Sequence, residues 1–240
     1  MIVISDEIPS LEKLEQTDSN LSTEIYDVHG AVVGRIFKES RKKISYDQLP
    51  PHLINALIAT EDSRYFEHSG IDLYGTLRAA SKSALHYATA KLLFRREGAS
   101  TVTMQAAGNL FTGRKVHVKR KMLEMMTALY LERTYSKKEI LEIYFNVVFY
   151  GHNAYGIDAA SHIYFSKEVE DLSISESATL IGLLKGPSFF NPISRPEQAL
   201  SRRNTVLYRM NDMGFLDDDA LDSLVQEPIV IKRSFLAEHR

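Results

Sequence analysis

A nearly unbroken apolar stretch runs from Leu53 to Ala59, interrupted only by Asn55. It follows Pro50-Pro51, a pair suited to the first turn of a helix, and stops at two adjacent acids, Glu61 and Asp62. From there on, apolar residues recur at helical spacing almost throughout. Helix is expected over Leu73–Phe94 as one or two amphipathic pieces, on to Asn109 after a loop at Arg95–Thr101, and over Arg120–Arg133. "SKKE" (Ser136–Glu139) and "SISE" (Ser173–Glu176) read as capping boxes. They open helices expected to run to Gly151 and to Gly186-Pro187. Further helices are expected from Pro196 to Gly214 and around Asp217–Val225. Before Pro51 the pattern changes. Ser22–Phe37 alternates as a short β-hairpin turning near His29-Gly30, and residues 1–20 are polar without clear period, as in an arm or linker. The expectation is a mainly α chain, undivided from about residue 50 to 226, with a short N-terminal β-hairpin.

Composition narrows the function more than the fold. The 240 residues are 44% hydrophobic and 25% charged, an ordinary globular balance. A formal charge of −2 argues against general nucleic-acid binding. With no Cys there is no disulfide framework, no thiolate zinc site and no thiol nucleophile. No apolar stretch approaches the ~18–20 residues of a membrane span, and the N-terminus lacks the pattern of a signal peptide. These features suit a soluble or peripheral chain, or a piece of something larger.

Two acids stand out. Glu61 shares a helix face with Leu57, four residues earlier. If that face is buried, the carboxylate loses hydration and becomes a plausible general base or acid. Equally, Glu61 and Asp62 can mark a solvated helix end. Glu124 sits inside the apolar run Met122–Leu131, where an unpaired charge is costly. Arg120 and Lys121 lie four and three residues before it, within pairing reach. The pair is either structural or part of a site facing Glu61 across a cleft. Cations cluster in "GRKVHVKRK" (Gly113–Lys121) and "KLLFRR" (Lys91–Arg96), as a solvated basic face or as a site for phosphate or an anionic surface. "GASTVT" (Gly98–Thr103) precedes a helix, whose N–H groups can receive an anion, but it lacks the ending of a P-loop. His68 alone more often serves a structural hydrogen bond than a ligand. No HExxH or GxSxG pattern occurs.

Several segments, in order, resemble the peptidoglycan glycosyltransferase domain (glycosyltransferase family 51) of class A penicillin-binding proteins and monofunctional transglycosylases. "EDSRYFEHSG" is similar to EDxxFxxHxG, "GASTVTMQAAGN" to GxSTxTQQxxKN, and "RKMLE" to RKxxE. "SKKEILEIYFNVVFYGHNAYGIDAASHIYF" is similar to SKxxILExYLNxxxxGxxxxGxxxAAxxYF. "ESATLIGLLKGPSFFNP" and "RRNTVLYRM" match later family segments. The likeness covers about Leu21 to Arg240.

This resemblance implies a lysozyme-like helical fold over residues 21–226. Residues 227–240 would begin a linker towards a transpeptidase domain, and the family's membrane anchor is missing from this chain. It implies polymerisation of lipid II at the outer face of the bacterial cytoplasmic membrane, with the growing lipid-linked glycan as donor. Cell-wall synthesis proteins are possible partners, and nucleic acid is not one. Glu61 would be the catalytic base. Glu124 would orient groups or hold a divalent cation, Mg²⁺ or Mn²⁺, near the pyrophosphate, and Arg120 and Lys121 would offset the leaving charge. Asp62, His68, Ser100, Thr101, Gln105, Asn109, Lys137 and Asn146 would bind substrate or support the cleft. Three positions depart from the pattern. Tyr65 replaces Phe, Met104 replaces the first Gln of TQQ, and Gly108 replaces the Lys of QxxKN, with Arg114 or Lys115 as substitutes for its charge. Two rival readings are a glycan-cleaving lysozyme-like hydrolase and a lipid II-binding domain without turnover.

Overall fold

The computed structural model of the protein describes residues 22–26, 32–37, 42–77, 100–111 and 117–232. The expected hairpin forms: β1 (Ser22–Tyr26) and β2 (Val32–Phe37) pair antiparallel, with a register shift between Ile25 and Tyr26. From Pro51 onward the described residues are dominated by helix. The order is α1 (Pro51–Glu61), α2 (Val102–Phe111), α3 (His117–Thr134), α4 (Lys137–Val147), α5 (Ile157–Phe165), α6 (Ile174–Leu183), α7 (Pro196–Asp212) and α8 (Asp218–Gln226). The arm at 1–20, the segment Thr112–Lys115, which reads as a turn in the sequence, and most of the stretch expected as helix to Phe94 lie outside the described residues; of that stretch, residues 73–77 are helical.

Helix α1 is buried because its sequence is apolar nearly all round. Leu53, Ile54, Ala56, Leu57, Ile58 and Ala59 are all buried, and the helix packs between α6 and α7. Its last carbonyls would be orphaned there. Arg209 of α7 donates to the Thr60 carbonyl at 2.6 Å, a cation at the negative end of the helix dipole. Helix α2 packs on α3 and α4. Both capping boxes are present, at Ser136 with Glu139 and at Ser173 with Glu176. Buried Arg203 ties α6 and α7 to the end of α8, donating to Ser175 Oγ (3.1 Å) and to the Glu227 carbonyl (2.7 Å). Residues 227–232 fold back on α5, where Lys232 N–H donates to the Tyr164 carbonyl at 3.0 Å.

Two sequence expectations need correction. Helix α4 ends at Val147 rather than Gly151. Residues Phe149–Gly151 form β3, paired antiparallel with β4 (Ala154–Tyr155), and Gly151, His152, Asn153 and Gly156 all have positive φ. The helical period could not reveal this, because a two-residue pairing carries no periodicity. Second, α3 is not buried all round. Met122, Met125, Met126, Leu129 and Tyr130 are exposed, while Glu124, Thr127, Ala128 and Leu131 are buried.

Candidate active site

The end of α1 presents Glu61 at a partly open edge, its side chain 19% exposed. Leu57, one turn earlier, is fully buried. Two groups address the Glu61 carboxylate. Gln105 Nε2 of α2 donates to Oε2 at 2.9 Å. Arg202 of α7 brings a guanidinium nitrogen to 3.8 Å from Oε1. The orientation of Gln105 has a cause: the hydroxyl of fully buried Tyr144 donates to its Oε1 at 3.2 Å. Burial, reinforced by the Glu61 charge, pushes the Tyr144 pKa well above its ordinary value, so this hydroxyl stays a donor. The Gln105 amide must then turn its NH₂ to Glu61.

One turn along α2, Gly108 faces the second acid. A Cβ there would stand 3.3 Å from Glu124 Oε1. Arg120 Nε lies 3.2 Å from the same oxygen, and Lys121 Nζ lies 3.1 Å from Oε2. Lys121 also donates to Ser100 Oγ at 2.6 Å. Helix α2 therefore reaches both acids from a single face, Gln105 to Glu61 and Gly108 to Glu124. Asn109, on the exposed side, donates to the Gln105 carbonyl.

The remaining candidates serve the walls. Asp62 is buried; its two oxygens lie 3.0 Å from His68 Nε2, and Oδ2 accepts the Val102 N–H at the start of α2. Thr101 Oγ1 donates to the Gly70 carbonyl (2.6 Å) and accepts from Met104 N–H (3.1 Å). Lys137 pairs with Glu132 at 2.7 Å and lies over the Tyr65 ring. Asn146 grips both backbone groups of Ile44, at 2.9 and 2.7 Å. The departures sort similarly. Met104 is in the core, and the Tyr65 hydroxyl donates to the Lys137 carbonyl at 2.8 Å. Only Gly108 stands at the acids; Arg114 and Lys115 lie outside the described residues.

Sequence reasoning missed Arg202. Its side chain is 8% exposed. No local pattern marks it, because its burial follows from the packing of α7 on α1 and α6.

A mainly helical domain with a carboxylate at the end of its central helix, and a second one set among cations, has the architecture of a lysozyme-like glycosyl-transfer fold. The Transglycosylase family model matches residues 29–211. The chain belongs to that family. It is 38% identical to penicillin-binding protein 1A of Aquifex aeolicus over 97% of its length, and 38% identical to penicillin-binding protein 1A of Escherichia coli over 94%. It is 42% identical to penicillin-binding protein 1F of Bacillus subtilis over 81%. The crystal structure of penicillin-binding protein 1A from Haemophilus influenzae superposes with a TM-score of 0.53 at 25% identity, covering 90% of this chain and 22% of that one. The chain spans 31%, 26% and 26% of the three curated relatives. Among the described residues, no helix is long and apolar enough to cross a membrane.

Proposed function

We propose that this domain is a peptidoglycan glycosyltransferase that polymerises lipid II by inverting transfer. Glu61 takes the proton from the acceptor 4-hydroxyl as that oxygen attacks the donor's anomeric carbon. The bond to the lipid pyrophosphate breaks, and the departing oxygen keeps the electron pair. The observation that carries this reading is the shared face of α2, which holds Glu61 through Gln105 and meets Glu124 at Gly108. Arg120 and Lys121 supply positive charge beside Glu124, where a leaving pyrophosphate requires it. A neutral glycan leaving group would not, which disfavours a hydrolase.

Glu124 offers a single carboxylate with two cations already on it. A Mg²⁺ or Mn²⁺ at this one carboxylate would draw its other ligands from substrate phosphates and water rather than from a protein cage, and Arg120 and Lys121 would have to give way to it. A cation held there would offset charge on the leaving group.

The proposed location is the outer face of the cytoplasmic membrane. Phe66, Leu73, Tyr74 and Leu77 are exposed. Gly70, in the same segment, approaches the Ala128 carbonyl so closely that a Cβ would stand 3.0 Å from it. The exposed methionines of α3 add further apolar surface for lipid.

The test is polymerisation of labelled lipid II with and without Mg²⁺ or Mn²⁺. Glycan strands are expected. Lipid II binding without polymer would favour the non-catalytic reading, which the missing lysine at 108 motivates. Cleavage of preformed glycan would favour the hydrolase.

A further inference from the structure

Away from both acids, Asp158, His162 and Glu168 bring one ligand atom each to within 4.8 Å of one another. Asp158 and His162 lie one turn apart on α5, so they share a face. Glu168 arrives from the turn that follows, and that turn is fixed. Ser166 closes α5 in the left-handed conformation, and Ser161 Oγ donates to the Lys167 carbonyl at 2.7 Å.

Two observations set this group apart from an ordinary ion-pair network. First, Asp158 is 7% exposed, and its Oδ1 has no hydrogen-bond partner. That oxygen lies 3.9 Å from His162 Nδ1. Leaving a buried carboxylate oxygen unpaired is costly. Second, His162 Nδ1 lies 3.1 Å from the Asp158 carbonyl, which can only accept. The Nδ1 therefore carries the hydrogen, and in the neutral ring Nε2 is a bare acceptor. This Nε2 faces Glu168 Oε1 at 3.4 Å. Two lone pairs opposed at that distance call for a cation between them, either a proton on Nε2 or a metal ion. An imidazole whose other nitrogen donates to a backbone carbonyl is also the usual second-shell arrangement of a metal-binding histidine.

We propose that Asp158, His162 and Glu168 form a binding site for a first-row divalent cation such as Zn²⁺. One imidazole with two carboxylates suits such ions better than Ca²⁺ or Mg²⁺. Bonds of ~2.1 Å in a tetrahedral site place ligand atoms about 3.4 Å apart. Asp158 is held by burial, so His162 and Glu168, each about half exposed, make the closing movement. Their exposure also leaves an entry path and room for water as the fourth ligand. Lys42 already bonds Glu168 Oε2 at 2.8 Å and limits affinity by charge repulsion. The bound ion would join α5 to its following turn beside the segment 42–44, which Asn146 anchors. This site is independent of the catalytic reading and of any cation at Glu124.

The experiment is zinc titration of the whole chain in excess Mg²⁺, read by calorimetry and by thermal melting. One Zn²⁺ per chain and a raised Tm are expected. His162→Gln and the near-isosteric Asp158→Asn should each weaken binding at least about tenfold. Lys42→Met should tighten it roughly tenfold by removing the repelling ammonium. Glu124→Gln should leave it unchanged. Absence of binding below about 1 mM, or binding undiminished in His162→Gln, overturns the proposal. A Tm that follows pH alone and ignores zinc also overturns it, because the cation between His162 and Glu168 is then a proton.

Discussion

Gly108 lies against Glu124: a Cβ on the glycine would stand 3.3 Å from Oε1 and 3.5 Å from Cδ of the acid. The family's lysine at this position would thus emerge beside the carboxylate that Arg120 and Lys121 now contact from their own helix. Both cations are nearly half exposed, so the cluster can shift the few tenths of an ångström that a new Cβ requires.

This relationship makes Gly108→Lys informative twice over. Gly in a helix interior costs ~1 kcal/mol relative to Ala, so Gly108→Ala and Gly108→Lys should each stabilise the domain by roughly 0.5–1 kcal/mol in urea melts. Only Gly108→Lys should raise the rate of lipid II polymerisation and lower the apparent substrate requirement. Arg120→Ala should hurt the native chain more than the Gly108→Lys background, because Arg120 contacts Oε1, the Glu124 oxygen that faces Gly108. Additive effects in that double-mutant cycle would show that the two positions act independently.

The base assignment rests on Glu61 and its relay. Glu61→Gln should leave the melting curve nearly unchanged and cut polymerisation by ~10²–10⁴-fold, the usual worth of general base catalysis. A loss under about tenfold excludes it as the base. Gln105→Leu removes the donor from Oε2 while filling similar space. A hydrogen bond to a charged group is worth ~1.5–3 kcal/mol, so kcat should fall about ten- to a hundredfold with KM little changed. A change confined to KM would mean that Gln105 contacts substrate instead of orienting the base.

Which features the sequence reveals follows from what local pattern encodes. The buried α1, both capping boxes and the hairpin were legible because each is written in contiguous residues. Glu61 and Glu124 were legible as acids in apolar company. The relay Tyr144–Gln105–Glu61 was not, since its members come from three helices and meet only through packing. Arg202 was invisible as a partner of Glu61 for the same reason. Asp62, His68, Lys137 and Asn146 stood in the motifs beside the acids, but their side chains are spent on backbone groups, on one another and, for Lys137, on Glu132 and the Tyr65 ring. Adjacency in a motif does not distinguish a group that faces the cleft from one that braces its wall.

Ser136 tests the frame that carries Tyr144. Its Oγ accepts the Glu139 N–H at 3.3 Å, and Glu139 Oε2 accepts the Ser136 N–H at 2.7 Å. Ser136→Ala should cost about 1 kcal/mol. The Ser136 hydroxyl and N–H hold the Glu139 carboxyl below its ordinary value. A depressed folded pKa gives stability that is fully present above the unfolded carboxylate value and is lost as pH falls through the folded one. The difference between native and Ser136→Ala should therefore shrink in acid. A difference constant across that range would mean that Glu139 takes no part in the cap.

Glu124 poses the sharper alternative, a structural ion pair or a participant in turnover. Its side chain is 11% exposed and carries two cationic contacts, yet Arg120 and Lys121 are themselves nearly half exposed. Removing the charge strands neither of them in the core, and pairs with one exposed partner contribute little stability. Glu124→Gln should thus cost under about 1 kcal/mol in a urea melt, by the same reasoning, while turnover falls and its response to added Mg²⁺ or Mn²⁺ flattens. Combining Glu124→Gln with Arg120→Met separates the two cases. If the acid only balances charge, deleting both members restores folding and polymerisation together, because the one cation left, Lys121, keeps Ser100 Oγ as a partner and is partly solvated. If Glu124 acts on the pyrophosphate, the double variant keeps its stability and stays slow, since the leaving group has lost a cation as well as the acid. Recovery of polymerisation in the double variant would remove Glu124 from the catalytic site and leave Glu61 as the single acid there.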